Sequence, residues 1–246
     1  MTKGVGQVYA KFWKRVLDFA LALIGLIVLF PVLLILTVLG ATKMKGNPFF
    51  VQIRPGKDEK LFRMMKFRTM TQERDENGVL LPDDRRLTGY GKFLRSSSLD
   101  ELPELWNILK GDMALVGPRP QLVRDMVFMT PEQRRRHSVA QGLTGLAQVN
   151  GRNNMGWEQK IEYDLQYVEN ITFLGDLKIV CRTVVSVFAR EGIAMEGMDT
   201  AQDFGDYLLS TGKITREEYD RCQAEAQALC DDFISEKVRE LSGVEE

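Results

Sequence analysis

The longest unbroken apolar stretch of the chain runs from Phe19 to Ala41, 23 positions without a charged side chain. As a straight helix it would measure about 35 Å, more than the roughly 30 Å apolar core of a bilayer. It is too long for a secretory signal peptide, and no small-x-small cleavage site follows it. Pro31 falls inside it, where it removes a backbone donor and crowds the preceding turn, so a kink is predicted there. Both flanks are basic: Lys3, Lys11, Lys14 and Arg15 precede the stretch, and Lys43, Lys45, Arg54 and Lys57 follow it. Basic flanks stay on the cytoplasmic side. The pattern therefore predicts a re-entrant helix that bends at Pro31 and returns to the leaflet it entered, with Asp18 at the interface. A kinked helix that crosses the bilayer is the alternative.

Beyond the apolar stretch the periods shorten and alternate. Phe49–Arg54 and Leu61–Thr69 read as strands, and Pro55-Gly56-Lys57-Asp58 as the turn of a hairpin between them. Residues 71–86 are polar and carry turn signals at Asn77-Gly78 and Pro82, so a surface loop is expected. Ser98-Leu99-Asp100-Glu101 has the spacing of a capping box, and Leu102, Leu105, Trp106 and Leu109 follow at helical intervals. This predicts one helix over Ser98–Leu109, ended by Gly111. Met113–Val116 reads as a short strand and Gly117-Pro118-Arg119-Pro120 as a rigid loop. Leu122–Met129 and Pro131–His137 read as helical, and Gly142–Asn154 as a loop with one short strand at most. Two helices follow, Trp157–Glu169 and Leu174–Arg190. The second carries Leu177, Val180, Val184, Val187 and Phe188 on one broad face, for the core or for a membrane interface. The fold class expected is α+β and mainly helical, with a kinked membrane helix, interfacial amphipathic helices and a small β element. The domains expected are 1–45 (membrane helix and flank), 46–198 (body) and 199–246 (acidic helical extension). In the extension, Thr215-Arg216-Glu217-Glu218 is a second capping box. Tyr219, Cys222, Ala226, Leu229 and Phe233 then form a stripe suited to packing or to self-association as a homodimer.

Charge sharpens this division. The chain has 33 basic and 34 acidic side chains, yet residues 199–246 hold 5 of the former and 13 of the latter. The first 198 residues are thus a cationic body at +7, and the extension stands at −8. A cationic body beside a membrane helix fits an anionic, membrane-borne ligand. A charge of this size without a base-stacking aromatic motif argues against nucleic acid. Three dispersed cysteines exclude a disulfide framework or a cysteine zinc site, and the single His137 leaves little room for histidine chemistry. Walker A, GxGxxG and GxSxG patterns are all absent.

Three segments concentrate reactive groups. Asp100-Glu101 opens a predicted helix, where carboxylates ordinarily cap free N–H groups but can also hold Mg²⁺ or attack phosphorus. Arg95, Lys92 and three serines lie just upstream. Lys66 and Arg68 share one face of a strand, a pair of cations suited to a diphosphate. Arg119, between two prolines, and Arg152, in Asn150-Gly151-Arg152-Asn153, sit in loops able to present a guanidinium to phosphate oxygens. The run Arg134-Arg135-Arg136 reads as a solvated or headgroup-facing cluster.

The run "GKFLRSSSLDELPELWNILKGDMALVGPRP" resembles the signature of the bacterial sugar transferases, the monotopic phosphoglycosyl transferases. In the same order, "KRVLDFALALIGLIVLFP", "RPGKDEKLFRMMKFRTM", "GLTGLAQVNGRN" and "YDLQYVENITFLGDLKIV" agree with it, so the likeness covers roughly residues 10–198. Among small members the chain is most similar to the transferase that uses UDP-diacetamidobacillosamine to begin N-glycan assembly. Phe30, Gln141 and Leu146 depart from the family's usual residues. The resemblance implies transfer of a sugar-1-phosphate from a UDP-sugar to polyprenyl (undecaprenyl) phosphate, with release of UMP. It implies Mg²⁺, Asp100 as a nucleophile that forms a phosphosugar intermediate and as metal ligand, and Glu101 as its partner acid. By matching position, Lys66, Arg95, Arg119 and Arg152 are expected to bind phosphate. The resemblance also implies an active site on the cytoplasmic face of the bacterial inner membrane. A membrane-tethered phosphohydrolase and an anionic-lipid-binding module are the competing readings.

Overall fold

In the computed structural model, which describes residues 8–44, 46–151, 155–188 and 202–242, the apolar stretch is a single long helix. A π-helical turn, Tyr9–Trp13, leads into α1, Lys14–Lys43, with Pro31 inside it. One stripe of α1 faces protein: Lys14, Asp18, Ala22, Leu36 and Gly40 are buried, with Leu26, Leu29 and Leu33 partly covered between them. The intervals of three and four residues put these positions on one face. The other faces expose a continuous apolar surface that includes Phe19, Ile24, Ile27, Val28, Phe30, Ile35 and Val38.

The expected hairpin is present. β1, Phe49–Pro55, pairs antiparallel with β2, Leu61–Phe67, setting Phe50 opposite Lys66 and Pro55 opposite Leu61. Asp58 and Glu59 turn the chain with positive φ. The polar segment 71–86 is a loop as far as Pro82, tied by isolated bridges between Met70 and Leu87 and between Arg74 and Leu80, and ends in one helical turn, Asp83–Arg86. It leads into α2, Gly89–Ser96, a helix the apolar pattern did not suggest. The Thr88 hydroxyl caps α2 by accepting from the Gly91 N–H at 3.0 Å.

The single helix expected over Ser98–Leu109 is broken. Ser98 takes a left-handed conformation (φ 55°), and its side chain caps nothing. Leu99–Glu101 form a 3-10 turn, and α3 starts at Glu104 and ends at Lys110. Pro103 explains the offset: it supplies no N–H, and a helix accepts proline only in its first turn. Gly111 ends α3 with φ 100°, as expected.

A second, parallel pair of strands follows: β3, Met113–Val116, and β4, Gln141–Thr144, with Met113 opposite Gln141. The glycine-rich segment expected as a loop with one short strand at most thus supplies that strand and also a short helix, Leu146–Gly151. Its glycines permit close approach: a Cβ on Gly142 would lie 2.1 Å from the Gly117 nitrogen. α4, Trp157–Glu169, and α5, Phe173–Phe188, complete the body. Leu177, Val180 and Val184 are exposed on α5, so this face does not enter the core. Phe173, Leu174 and Val185 extend the exposed apolar surface.

The extension is built into the body. α6 is Phe204–Ser210 and α7 is Arg216–Ser242. Phe204 packs with Met129, Trp157 and Ile161, while Ala226 packs with Val123, Met126 and Val127. The second capping box forms: the Glu218 N–H reaches the Thr215 hydroxyl at 3.2 Å, and the Thr215 N–H reaches Glu218 Oε2 at 2.9 Å. The three cysteines are free thiols.

The body grips α1 near both ends. At the N-terminal end, Lys14 Nζ donates to Asp176 Oδ2 of α5 at 2.8 Å, the Leu115 N–H donates to Asp18 Oδ1 at 3.1 Å, and Arg15 donates to the carbonyls of Ile108 and Leu109. Ala22 is enclosed by Phe62, Met64, Leu105, Ile108 and Met113. At the C-terminal end, Leu36 packs with Phe67 and Leu94, and the Tyr90 hydroxyl donates to the Leu36 carbonyl at 2.8 Å.

Candidate active site

Four of the residues singled out in the sequence converge. Lys66 comes from the end of β2, Asp100 and Glu101 from the 3-10 turn before α3, and Arg119 from the loop after β3. One oxygen joins three of them. Glu101 Oε1 accepts from Lys66 Nζ at 2.8 Å and from Arg119 Nη2 at 2.7 Å. The Lys66 and Glu101 side chains are only 17% and 20% exposed, so these charge-assisted bonds lie in a poorly solvated setting. Arg95 approaches from α2, its Nε donating to Thr69 Oγ1 at 3.2 Å. Arg68 lies one residue past the end of β2, and its N–H donates to the Pro48 carbonyl at 2.8 Å, continuing the register of the hairpin. Arg152 lies outside the described residues.

The pattern reading passed over Glu104. Its side chain is 4% exposed, and its Oε1 stands 3.1 Å from Lys66 Nζ without a hydrogen bond of its own. Glu104 lies four residues after Asp100, the interval that brings side chains together along a helix, so the signal was available. Asn107 ties this helix to the strand of Lys66: its Nδ2 donates to the Arg63 carbonyl at 2.8 Å, and its Oδ1 accepts from the Met65 N–H at 3.1 Å.

The carboxylates differ sharply. Burial pushes Asp100 up to about 6; the neighbouring Glu101 charge adds to this, and Lys66, Arg119 and Arg95 oppose it. Burial acts on Glu101 in the same sense, but Arg119 and Lys66 outweigh it and hold that carboxyl far below the usual range. Glu104 is pushed up to about 7 by burial and by Glu101, against the pull of Lys66. Burial disfavours the Lys66 ammonium, yet Glu101 and Glu104 keep its pKa above the ordinary lysine value. Among the described residues the Asp100 carboxylate has no hydrogen bond or ion pair. Glu101 is thus an ionised anchor for two cations, and Asp100 is an unengaged carboxylate beside them. The positive φ of Ser98, unusual for a residue other than glycine, sets the turn that presents Asp100.

Arg119 is itself held from behind. Arg136, expected on the surface, is fully buried: its Nη2 donates to the Arg119 carbonyl at 2.6 Å and to Asp164 Oδ2 at 2.7 Å. Arg134 and Arg135 stay at the surface on Glu59, Glu132 and Glu169. The lone His137 is buried beside Arg136, and burial with that positive charge pushes it down to about 3, so it is neutral. Gln141 is buried under the same loop, its Nε2 donating to the Arg136 and Val139 carbonyls.

Mg²⁺ commonly keeps several waters and takes one or two carboxylates plus substrate phosphates. Among the described residues no group of three acidic, histidine or cysteine side chains forms a closed metal cage. Asp100 with Glu101, open to a phosphate-bearing ligand, fits that sparse donor set.

A mainly helical α+β body beside a long helix with exposed apolar faces thus carries an aspartate without a hydrogen bond or ion pair among fixed cations. Comparison with known proteins gives the family: the bacterial sugar transferase model matches residues 9–190, and the chain belongs to that family. It is 48% identical over 192 residues to the uncharacterized sugar transferase EpsL of Bacillus subtilis, covering 78% of this chain and 95% of that one. It is 39% identical over 195 residues to a UDP-glucose:undecaprenyl-phosphate glucose-1-phosphate transferase of Klebsiella pneumoniae, covering 75% of this chain and 41% of that one. It is 34% identical over 201 residues to an undecaprenyl-phosphate galactose phosphotransferase of Salmonella typhimurium, covering 74% and 42%. The chain therefore spans nearly all of the first relative and about two fifths of the other two.

Proposed function

We propose that the chain transfers a sugar-1-phosphate from a UDP-sugar to polyprenyl phosphate, releasing UMP, by way of a phosphosugar ester on Asp100. The observation that carries this reading is the Asp100 carboxylate, unengaged beside Lys66 and Arg119, which one oxygen of Glu101 holds together. The activities for which the Klebsiella and Salmonella relatives are named support the same class of donor and acceptor. An Asp100 oxygen attacks the sugar-bearing phosphorus. The bond from that phosphorus to the bridging oxygen breaks, and UMP leaves with the electron pair. An oxygen of polyprenyl phosphate then attacks the same phosphorus, and the acyl–phosphate bond breaks to restore the carboxylate. Two steps on one nucleophile let a soluble and a lipid substrate react in turn. Lys66, Arg119 and Arg95 offset charge on the phosphate oxygens. Mg²⁺, held by Asp100 with Glu101, would supply Lewis-acid stabilisation of the departing phosphate.

The grip of the body on both ends of α1 supports a re-entrant, monotopic placement. A helix crossing the bilayer would carry one end away from the body or drag a charged body into lipid. With basic flanks retained on the cytoplasmic side, the site opens at the cytoplasmic face of the bacterial inner membrane.

The test is UMP release by the purified, lipid-solubilised protein across a panel of UDP-sugars. The panel holds UDP-glucose, UDP-galactose, UDP-N-acetylhexosamines and UDP-diacetamidobacillosamine, each with polyprenyl phosphate and Mg²⁺. Wild type should release UMP and form a lipid-linked sugar, and Asp100→Asn should do neither. A folded Asp100→Asn protein with near-normal turnover removes Asp100 as nucleophile. Free sugar phosphate formed without the lipid acceptor would favour a phosphohydrolase.

A further inference from the structure

The match to the sugar transferase family ends at residue 190, yet α6 and α7 lie beyond it and are packed into the body. Their contacts concentrate on the segment that follows Arg119. Asp125 is the node. Its side chain is buried, and its two oxygens serve two parts of the chain: Oδ2 accepts from the Leu122 N–H at 3.0 Å, and Oδ1 from the Phe204 N–H at 2.9 Å. One carboxylate thus ties the end of the Arg119 loop to the first turn of α6. Arg124 and Asp203 form a second tie at 2.6 Å, and Ala226 of α7 covers Val123, Met126 and Val127. The body holds the loop further back, through Arg136 on the Arg119 carbonyl and Arg54 on the Pro120 carbonyl at 3.3 Å.

From this arrangement we infer that the C-terminal extension is a brace for the active site: through Asp125 it fixes the 117–122 loop, and so sets where Arg119 presents its guanidinium. Asp125 and Phe204 are positioning residues and do not touch substrate. The physical basis is that the extension closes the downstream end of the loop. A loop fixed at both ends spends less of its time away from the geometry that meets a phosphate. The consequence for catalysis rests on the phosphate-binding role proposed for Arg119; the consequence for the loop does not.

The experiment uses the full chain and two readouts, amide hydrogen exchange at residues 117–122 and kcat/KM for UMP release. Phe204→Ala should undock α6. It should raise exchange of the Leu122 amide at least tenfold, with β1 and β2 unchanged, and lower kcat/KM at least fivefold. Should Phe204→Ala fail to fold, the partly exposed Arg124–Asp203 pair carries the test: Arg124→Asp and Asp203→Arg should each raise Leu122 exchange, and the double swap should restore it. Unchanged Leu122 exchange in folded variants overturns the brace. Raised exchange with undiminished kcat/KM overturns its role in placing Arg119. Raised exchange together with a wild type inactive on every UDP-sugar upholds the brace and fails the proposed function instead.

Discussion

Replacing Asp164 by alanine tests the concealed support of the site. Arg136 is 0% exposed and spends its donors on Asp164, the Arg119 carbonyl and His137. Burial pushes Asp164 upward even against the adjacent Arg136, so the pair is no large stabiliser relative to an apolar one. The cost arises when one partner goes. Asp164→Ala leaves a guanidinium in the interior with no counter-charge beside it except through rearrangement, since His137 is neutral. Breaking a buried pair in this way costs about 3–5 kcal/mol. At about 2–4 °C per kcal/mol for a chain of this size, the melting midpoint should fall by about 6–20 °C. Thermal unfolding in lipid or mild detergent, followed by near-ultraviolet circular dichroism, measures the midpoint, and denaturant titration the free energy. Arg136→Met with Asp164→Leu should recover part of the loss, because the charge left alone is gone, although the Arg119 carbonyl still lacks its donor. A loss below about 1 kcal/mol in Asp164→Ala would refute the reasoning, since it would mean that Arg136 reaches water or another anion.

The acid side of the pH profile should follow Asp100, which must be ionised to attack: turnover should fall as the pH drops through about 6. Because the Glu101 charge raises Asp100, Glu101→Gln should move that limb to lower pH in its residual activity; a limb that stays put or moves up contradicts the coupling. Chelation with EDTA should stop UMP release and Mg²⁺ should restore it, whereas turnover surviving thorough chelation removes the metal from the mechanism. Pro31→Ala should restore the backbone hydrogen bond that a proline inside α1 removes, and with it take away any preference for bending there. Labelling of a cysteine placed at Lys3 should then change its sidedness, and unchanged labelling means that the grip of the body, not the proline, sets the topology.

Much of this was legible in the chain because it depends on near neighbours. The hairpin showed in alternation and a Pro-Gly turn, the long apolar helix in its uninterrupted run, and the acidic pair in its company of basic residues. What was hidden depends on distant partners. Pro103 divided a helix that its apolar spacing had joined, because a missing N–H outweighs periodicity. Arg136 looked like one of three surface arginines, and only Asp164, 28 residues on, explains its burial. The segment 142–154 reads as a loop with one short strand at most because its glycines disfavour regular structure; they let β4 meet the Gly117 backbone, and the short helix after β4 is what the pattern does not show. Glu104 carried a helical-interval signal, but its partner Lys66 lies across the hairpin and could not be read from spacing.

The parallel pairing of β3 with β4 sets an order of assembly. Lys66, Asp100, Glu101 and Glu104 leave the ribosome before Arg119, and well before Arg136 and Asp164, which hold Arg119 in place. A nascent chain at that stage sets three carboxylates against Lys66 and Arg95, without the Arg119 charge that Glu101 anchors in the finished fold. The cluster is therefore completed only when the later half of the polypeptide arrives, and a truncated product would carry Asp100, the proposed nucleophile, without the arginine fixed beside it.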